Sequence, residues 1–129
     1  MKTLNINVYE AFKQRLEVVF SEFDNVYVSF SGGKDSGLLL ELTLQYMREH
    51  GITRPIGVMH QDFEAQYAAT TDYVTRIMLG NADLIKPYWL CLPMACKTAT
   101  SQFEQYWYPW APEKQDLWTR PMPDYPCVI

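Results

Sequence analysis

The stretch VYVSFSGGKDSGLLLELTLQYMREHG, residues 26–51, constrains the fold more than any other part of the chain. Val26 to Phe30 is short, β-branched and aromatic, the composition of a strand. Leu38 to His50 carries Leu, Met and Tyr almost all round, which suits a helix buried on much of its surface, and Gly51 is placed to stop it. The two are joined by a few residues that include adjacent glycines. A strand that turns directly into a buried helix sends the chain back along the sheet, and the next strand then lies parallel to the first.

The flanking sequence repeats this alternation. Val8, Phe12, Leu16, Val19 and Phe23 recur every three or four positions, which predicts one apolar face of a helix ending at Asp24-Asn25. Pro55 opens a second strand, IGVMH. A third helix is predicted from about Glu64 to Leu79, with Tyr67, Val74 and Met78 on its inner face and Gly80-Asn81 at its end. Leu84 to Leu90 reads as a third strand, at an edge or broken, because Pro87 lacks a ladder donor. The order predicts an α/β fold in a single domain, with a parallel sheet, right-handed crossovers and helices on its faces. Beyond Cys91 the chain crowds large aromatics and prolines into an irregular segment that cannot be one helix; it suits a lid or a partner surface.

Bulk properties narrow the class. A chain of 129 residues with 48% hydrophobic and 15% aromatic content can bury a real core. The net charge of −4 gives no support to direct nucleic-acid binding or to an anionic membrane partner, since both need a positive field. No apolar run approaches the roughly 18 residues of a membrane span, and Met1-Lys2-Thr3 does not open a signal peptide. Cys91, Cys96 and Cys127 match neither a zinc pair nor a disulfide framework, so reduced thiols and a cytoplasmic location are expected.

The glycine stretch has a chemical reading. Gly32 and Gly33 can take positive φ and present bare N–H groups. Curled into a nest ahead of a helix N-terminus, such groups make a phosphate site. Ser31 and Ser36 add hydroxyls and Lys34 a positive charge. A Walker A loop is excluded, because its first glycine and its Ser/Thr would fall at Val28 and Asp35, and no GxGxxG is present. A plain strand-to-helix turn is the competing reading. In sheets of this kind ligands collect at the carboxyl ends of the strands, where this loop would lie.

In that setting SGGKDS resembles the PP-loop of the N-type ATP pyrophosphatase superfamily, and within it the phosphoadenosine phosphosulfate (PAPS) reductase-like family. GVMHQDFEAQY, YWLCLPM and EKQDLWTRPMP resemble later segments of the same family, so the likeness runs from about Val26 to Pro123. It implies a Rossmann-like, adenine nucleotide α-hydrolase-like fold, in a shortened or partial version. It implies an adenine-nucleotide ligand, ATP or PAPS/adenylylsulfate, with Mg2+, for adenylyl-transfer or sulfur-transfer chemistry. Ser31, Gly32, Gly33, Lys34, Asp35 and Ser36 would bind the phosphate or sulfate end, Lys34 and Asp35 being the catalytic candidates. Met59, His60 and Asp62 would border adenine and ribose. A ParB-like nuclease-domain protein is an implied partner, and a homo-oligomer is compatible with the pattern.

Other groups carry alternatives. Asp62 and Glu64 follow the second strand and suit either Mg2+ or capping of the next helix; Asp35, inside the loop, is the better metal or water-positioning candidate. The Glu-Cys-Gly-type nucleophile motif of PAPS reductases and the paired cysteines of an iron–sulfur cluster do not occur, and no His/Cys cluster suggests zinc. Cys91 and Cys96 suit packing, and Cys127 is a weak nucleophile candidate because no activating base accompanies it. His60 suits either a ribose or phosphate contact or a structural hydrogen bond. Trp107, Tyr108, Trp110 and Trp118 suit a purine lid, an interface or the core, and Lys114 and Arg120 are available as cations for a phosphate or sulfate. A catalytically incomplete regulatory module that binds nucleotide and a protein partner is the alternative to an enzyme.

Overall fold

A computed structural model describes residues 5–129. The elements run in the order α1 (Val8–Glu22), β1 (Tyr27–Ser29), α2 (Lys34–Glu49), β2 (Ile56–Gln61), α3 (Ala68–Gly80), β3 (Ile85–Leu90), β4 (Cys96–Lys97), β5 (Tyr106–Trp107) and a 3-10 helix at Pro112–Leu117. β1, β2 and β3 form a parallel sheet in that order, with Val28 opposite Val58 and His60 opposite Trp89. The α/β class with a parallel sheet and flanking helices is therefore the architecture of the chain.

Strand alternation places Val28, Phe30, Ile56, Val58, His60, Ile85 and Trp89 on one face of the sheet. There the apolar members meet Leu40, Leu44 and Met47 of α2 and Val74, Ile77 and Met78 of α3 in one core. The other face is less covered: Tyr27 and Lys86 are exposed, and Gly57, Met59 and Gln61 are half-buried.

Pro87 sits within β3 without breaking it. Trp89 and Cys91 donate their N–H groups outward to the carbonyls of Cys127 and Ile129, both at 2.9 Å. Pro87 has the same parity, so its missing N–H falls on the outer edge, where β2 needs no donor. The last residues thus extend the sheet, with Val128 paired in parallel to Trp89.

Three expectations change at helix ends. α2 starts at Lys34 rather than Leu38, directly on its N-cap Gly33. α3 starts at Ala68 rather than Glu64, and Tyr67, expected inside, is its 86% exposed N-cap. In α1 only Leu16 is fully buried, and the expected inward residues Val8 and Phe23 are exposed. Arg54 donates to the carbonyls of Phe20, Phe23 and Asp24 at 2.6–2.8 Å, supplying the cation that the last turn of α1 lacks. Among the described residues no helix is long and apolar enough to cross a membrane.

Candidate functional site

The glycine loop leaves β1 and becomes α2 within four residues. Gly32 holds φ +80°, and a Cβ there would stand 2.8 Å from methyl groups of both Thr70 and Val74 on α3. It is the position that requires glycine. Gly33 instead is extended, with φ −81° and ψ 165°, so the expectation of positive φ fails there. Among the described residues, the only neighbour a Cβ at Gly33 would approach is Ser31 Oγ, at 3.4 Å. Bare backbone at Gly33 is therefore not required by packing.

The Ser31 and Ser36 hydroxyls lie 2.9 Å apart; Ser36 donates to the Gly33 carbonyl at 3.2 Å and Ser31 accepts from the Gly33 N–H at 3.3 Å. No side chain caps α2, although its first turn carries Lys34 and Asp35, both exposed. An uncapped N-terminus with positive dipole end and adjacent hydroxyls can receive an anion. Gly37, in the next turn, packs closely on α3: a Cβ there would stand 2.5 Å from the Tyr73 hydroxyl, so that the ring would have to shift.

Beside the loop opens a cleft of about 830 Å3, lined by Ser31, by Phe63, Ala65, Gln66 and Tyr67 of the β2–α3 connection, by Ala68 and Thr70 of α3, and by Thr119 and Arg120. Its size is within the range of small-molecule sites, roughly 300–1,000 Å3, and it lies at the carboxyl edge of the sheet, as expected. Of the residues expected to contact a nucleotide, Ser31 lines this cleft; Gly32, Gly33, Lys34, Asp35, Ser36, Met59, His60 and Asp62 do not. In the β2–α3 connection the sequence singles out Asp62 and Glu64, whereas the cleft-lining Phe63, Ala65, Gln66 and Tyr67 carry no site signal because the stretch reads as the start of a helix.

Asp62 and Glu64 are the centre of a different arrangement. Asp62 Oδ1 accepts the Glu64 N–H at 2.8 Å and Arg120 Nη2 at 2.5 Å, while Oδ2 accepts the Trp89 indole N–H at 2.8 Å. Glu64 Oε2 accepts the Trp110 N–H and Oε1 the Thr119 N–H, both at 2.9 Å. The Glu64 carbonyl accepts from Thr119 Oγ1 and Arg120 Nε, and the Asp62 carbonyl from the Trp110 indole. Both carboxylates are buried, at 1% and 5% exposure. Every one of their oxygens serves a protein donor, so they do not fit the expected Mg2+ role; they anchor the C-terminal segment. Neither caps α3, which begins at Ala68. Asp35 alone remains of the proposed metal set, and among the described residues no group of three or more His, Cys, Asp or Glu could hold a metal.

His60 is fully buried, and its Nδ1 lies 2.8 Å from the Phe30 carbonyl, which makes Nδ1 the protonated nitrogen. Burial pulls its pKa below 6.5, against the upward pull of that carbonyl and of Asp62. The ring is a structural member beneath the cleft and does not reach a ligand. Among the described residues its Nε2 has no hydrogen-bond partner, nor does Oε1 of Gln66.

The thiols lie away from ordinary reactivity. Cys91 is buried, with burial first and then the Asp62 charge pushing its pKa up to about 12. Burial also raises Cys127. Neither has an activating base. Of the aromatics, Trp110 is buried and packs edge-on against Trp118 at 5.1 Å between centroids, whereas Tyr108 is half exposed. Trp110 and Trp118 thus belong to the packing of the C-terminal segment.

The chain is similar to a protein of Escherichia coli (strain K12) described as uncharacterized protein YbdN, with 37% identity over 121 residues, 93% of this chain. The match takes in 29% of that protein, so the chain spans under a third of the length of this curated relative. No family model matches, and no solved structure matches.

Proposed function

We propose that the chain binds the phosphate or sulfate end of an adenine nucleotide or sulfonucleotide at the SGGKDS loop, as a PAPS reductase-like PP-loop protein of the Rossmann-like, adenine nucleotide α-hydrolase-like kind. One observation carries the reading: Ser31, whose hydroxyl lies 2.9 Å from that of Ser36 at the uncapped N-terminus of α2, lines a nucleotide-sized cleft at the carboxyl edge of a parallel sheet. Lys34 supplies charge for the same group.

For adenylyl transfer, an acceptor oxygen attacks the α-phosphorus and pyrophosphate departs; the helix N–H groups and Lys34 stabilise the charge that develops on it. For sulfur transfer, a thiolate attacks the sulfuryl sulfur, an S–S bond forms as the S–O bond to the 5′-phosphate breaks, and the adenosine nucleotide departs with the electron pair; a second thiol then forms a disulfide and releases sulfite. The raised pKa values of Cys91 and Cys127 favour a thiol from elsewhere. The same observation favours a second reading, a catalytically incomplete module that binds nucleotide; a ParB-like nuclease-domain partner for it is what the family resemblance implies.

Isothermal titration calorimetry with ATP, adenylylsulfate and PAPS, with and without Mg2+, tests the proposal, with Gly33→Val as control. Binding by the natural chain and its loss in a folded Gly33→Val variant are expected. Equal affinity in the two would remove the loop from the site. Pyrophosphate or sulfite release then separates an enzyme from a binding module.

A further inference from the structure

Arg120 is fixed from three sides while part of its guanidinium remains unengaged. Nε donates to the Glu64 carbonyl at 3.0 Å, Nη2 donates to Asp62 Oδ1 at 2.5 Å, and the group lies 5.0 Å from the centre of the Trp110 ring. Nη1 has no acceptor among the described residues. The side chain is 21% exposed and lines the cleft that Ser31 also lines. Neutralising Asp62 requires only one edge of the guanidinium, which leaves the other available. A planar fork already oriented by a carboxylate, a carbonyl and an indole loses little freedom when it meets an oxyanion.

We propose that Arg120 is an oxyanion-binding residue of the cleft: with one phosphoryl group at the glycine loop, its guanidinium takes a second tetrahedral oxyanion of the same ligand, phosphoryl or sulfuryl. Asp62 and the Glu64 main chain are its positioning groups. This inference rests on the reading of the loop as a phosphate site, and it assigns the C-terminal segment a part in that site: docking of Trp110, Thr119 and Arg120 on the β2–α3 connection completes the cleft wall.

The test is calorimetry with inorganic phosphate, pyrophosphate and adenylylsulfate on the natural chain, Arg120→Met and Arg120→Lys, with thermal melts alongside. Arg120→Met is expected to lose roughly 10- to 100-fold in affinity for pyrophosphate, adenylylsulfate or both, the size of a charged hydrogen bond, and less than about twofold for phosphate. Arg120→Lys is expected to recover part of the loss. Loss with one of the two larger ligands alone identifies the second group as phosphoryl or as sulfuryl. Unchanged affinity for both in a folded variant overturns the inference and leaves the loop reading standing. An equal loss for all three ligands also overturns it, marking Arg120 as a strut. If Arg120→Met does not fold, Arg120→Lys, which keeps the cation and the stem over Trp110, is judged by the same criteria through its weaker loss. A natural chain that binds none of the three sinks the loop reading and the inference together.

Discussion

The Glu64 carboxylate accepts the main-chain N–H of Trp110 at 2.9 Å, and both residues hold a left-handed backbone, at φ 64° and 56°. Left-handed conformations are unfavourable for residues with a Cβ and persist only where surrounding contacts enforce them. Here the contacts are mutual. Glu64 turns its carboxylate to Trp110 and Thr119, and the Trp110 indole returns a bond to the Asp62 carbonyl. The β2–α3 connection and the C-terminal segment therefore hold each other in place, and the cleft lies along their junction.

Glu64→Gln tests this junction. The amide keeps one acceptor oxygen but turns an NH2 toward a main-chain N–H, so one of the two bonds is lost and a donor faces a donor. The expected cost is about 1–3 kcal/mol, read by urea denaturation. Tryptophan emission is expected to shift to the red as Trp110 and Trp118 loosen. A stability within about 0.3 kcal/mol of the natural chain would show that the junction does not depend on this carboxylate.

The two glycines of the loop separate folding from binding. Gly32→Ala meets both a left-handed φ and two methyl groups at 2.8 Å, so a loss of about 2–4 kcal/mol is expected from backbone strain and overpacking together. Gly33→Ala meets only Ser31 Oγ at ordinary distance and is expected to change stability by less than about 0.5 kcal/mol. Its Cβ would stand at the loop where a phosphate is proposed, and nucleotide affinity is expected to fall. Thermal melts and calorimetry on the pair check both halves; equal stability of the two variants would contradict the structure.

Alkylation reports the thiols. Cys91 is buried and its pKa is raised to about 12, so almost no thiolate exists at pH 8. Cys127 is half-buried, with its pKa raised by burial. Iodoacetamide followed by peptide mass spectrometry is expected to label Cys96 first, Cys127 more slowly and Cys91 only after unfolding. Rapid labelling of Cys91 in the folded chain would place it in a more open environment than the structure gives it.

What the sequence disclosed and what it concealed follow from the range of the interactions. The three parallel strands and their connecting helices are written in local periodicity, and Leu16, Val74 and Met78 are buried where that pattern puts them. The start of α2 was misplaced because the apolar run begins at Leu38, whereas the backbone turns helical at the N-cap Gly33. α3 was started too early because DFEAQY reads locally as a helix opening. The left-handed Glu64 and its bonds to Trp110 and Thr119, about 50 residues away, decide otherwise. The loop of the candidate site was legible as glycine next to a strand and a helix. Arg120 was legible as an available cation, but its pairing with Gln66 and Thr119 in one cleft wall was not, since no spacing in the chain announces it.

His60 gives the chain a dependence on pH whose sign is fixed. Burial lowers its pKa in the folded state below 6.5, outweighing the upward influence of the Phe30 carbonyl and Asp62. The unfolded chain, with an ordinary imidazole, binds a proton more readily and is favoured as pH falls. The contribution of neutral His60 is complete above about pH 7 and is lost progressively as pH drops through 6.5, by at most about 1.4 kcal/mol per pH unit. Between pH 7.5 and 5.5 the Tm is expected to fall in the natural chain, and to fall less steeply in His60→Gln, whose amide can still donate to the Phe30 carbonyl. A His60→Gln slope as steep as that of the natural chain would assign the acid sensitivity to another group.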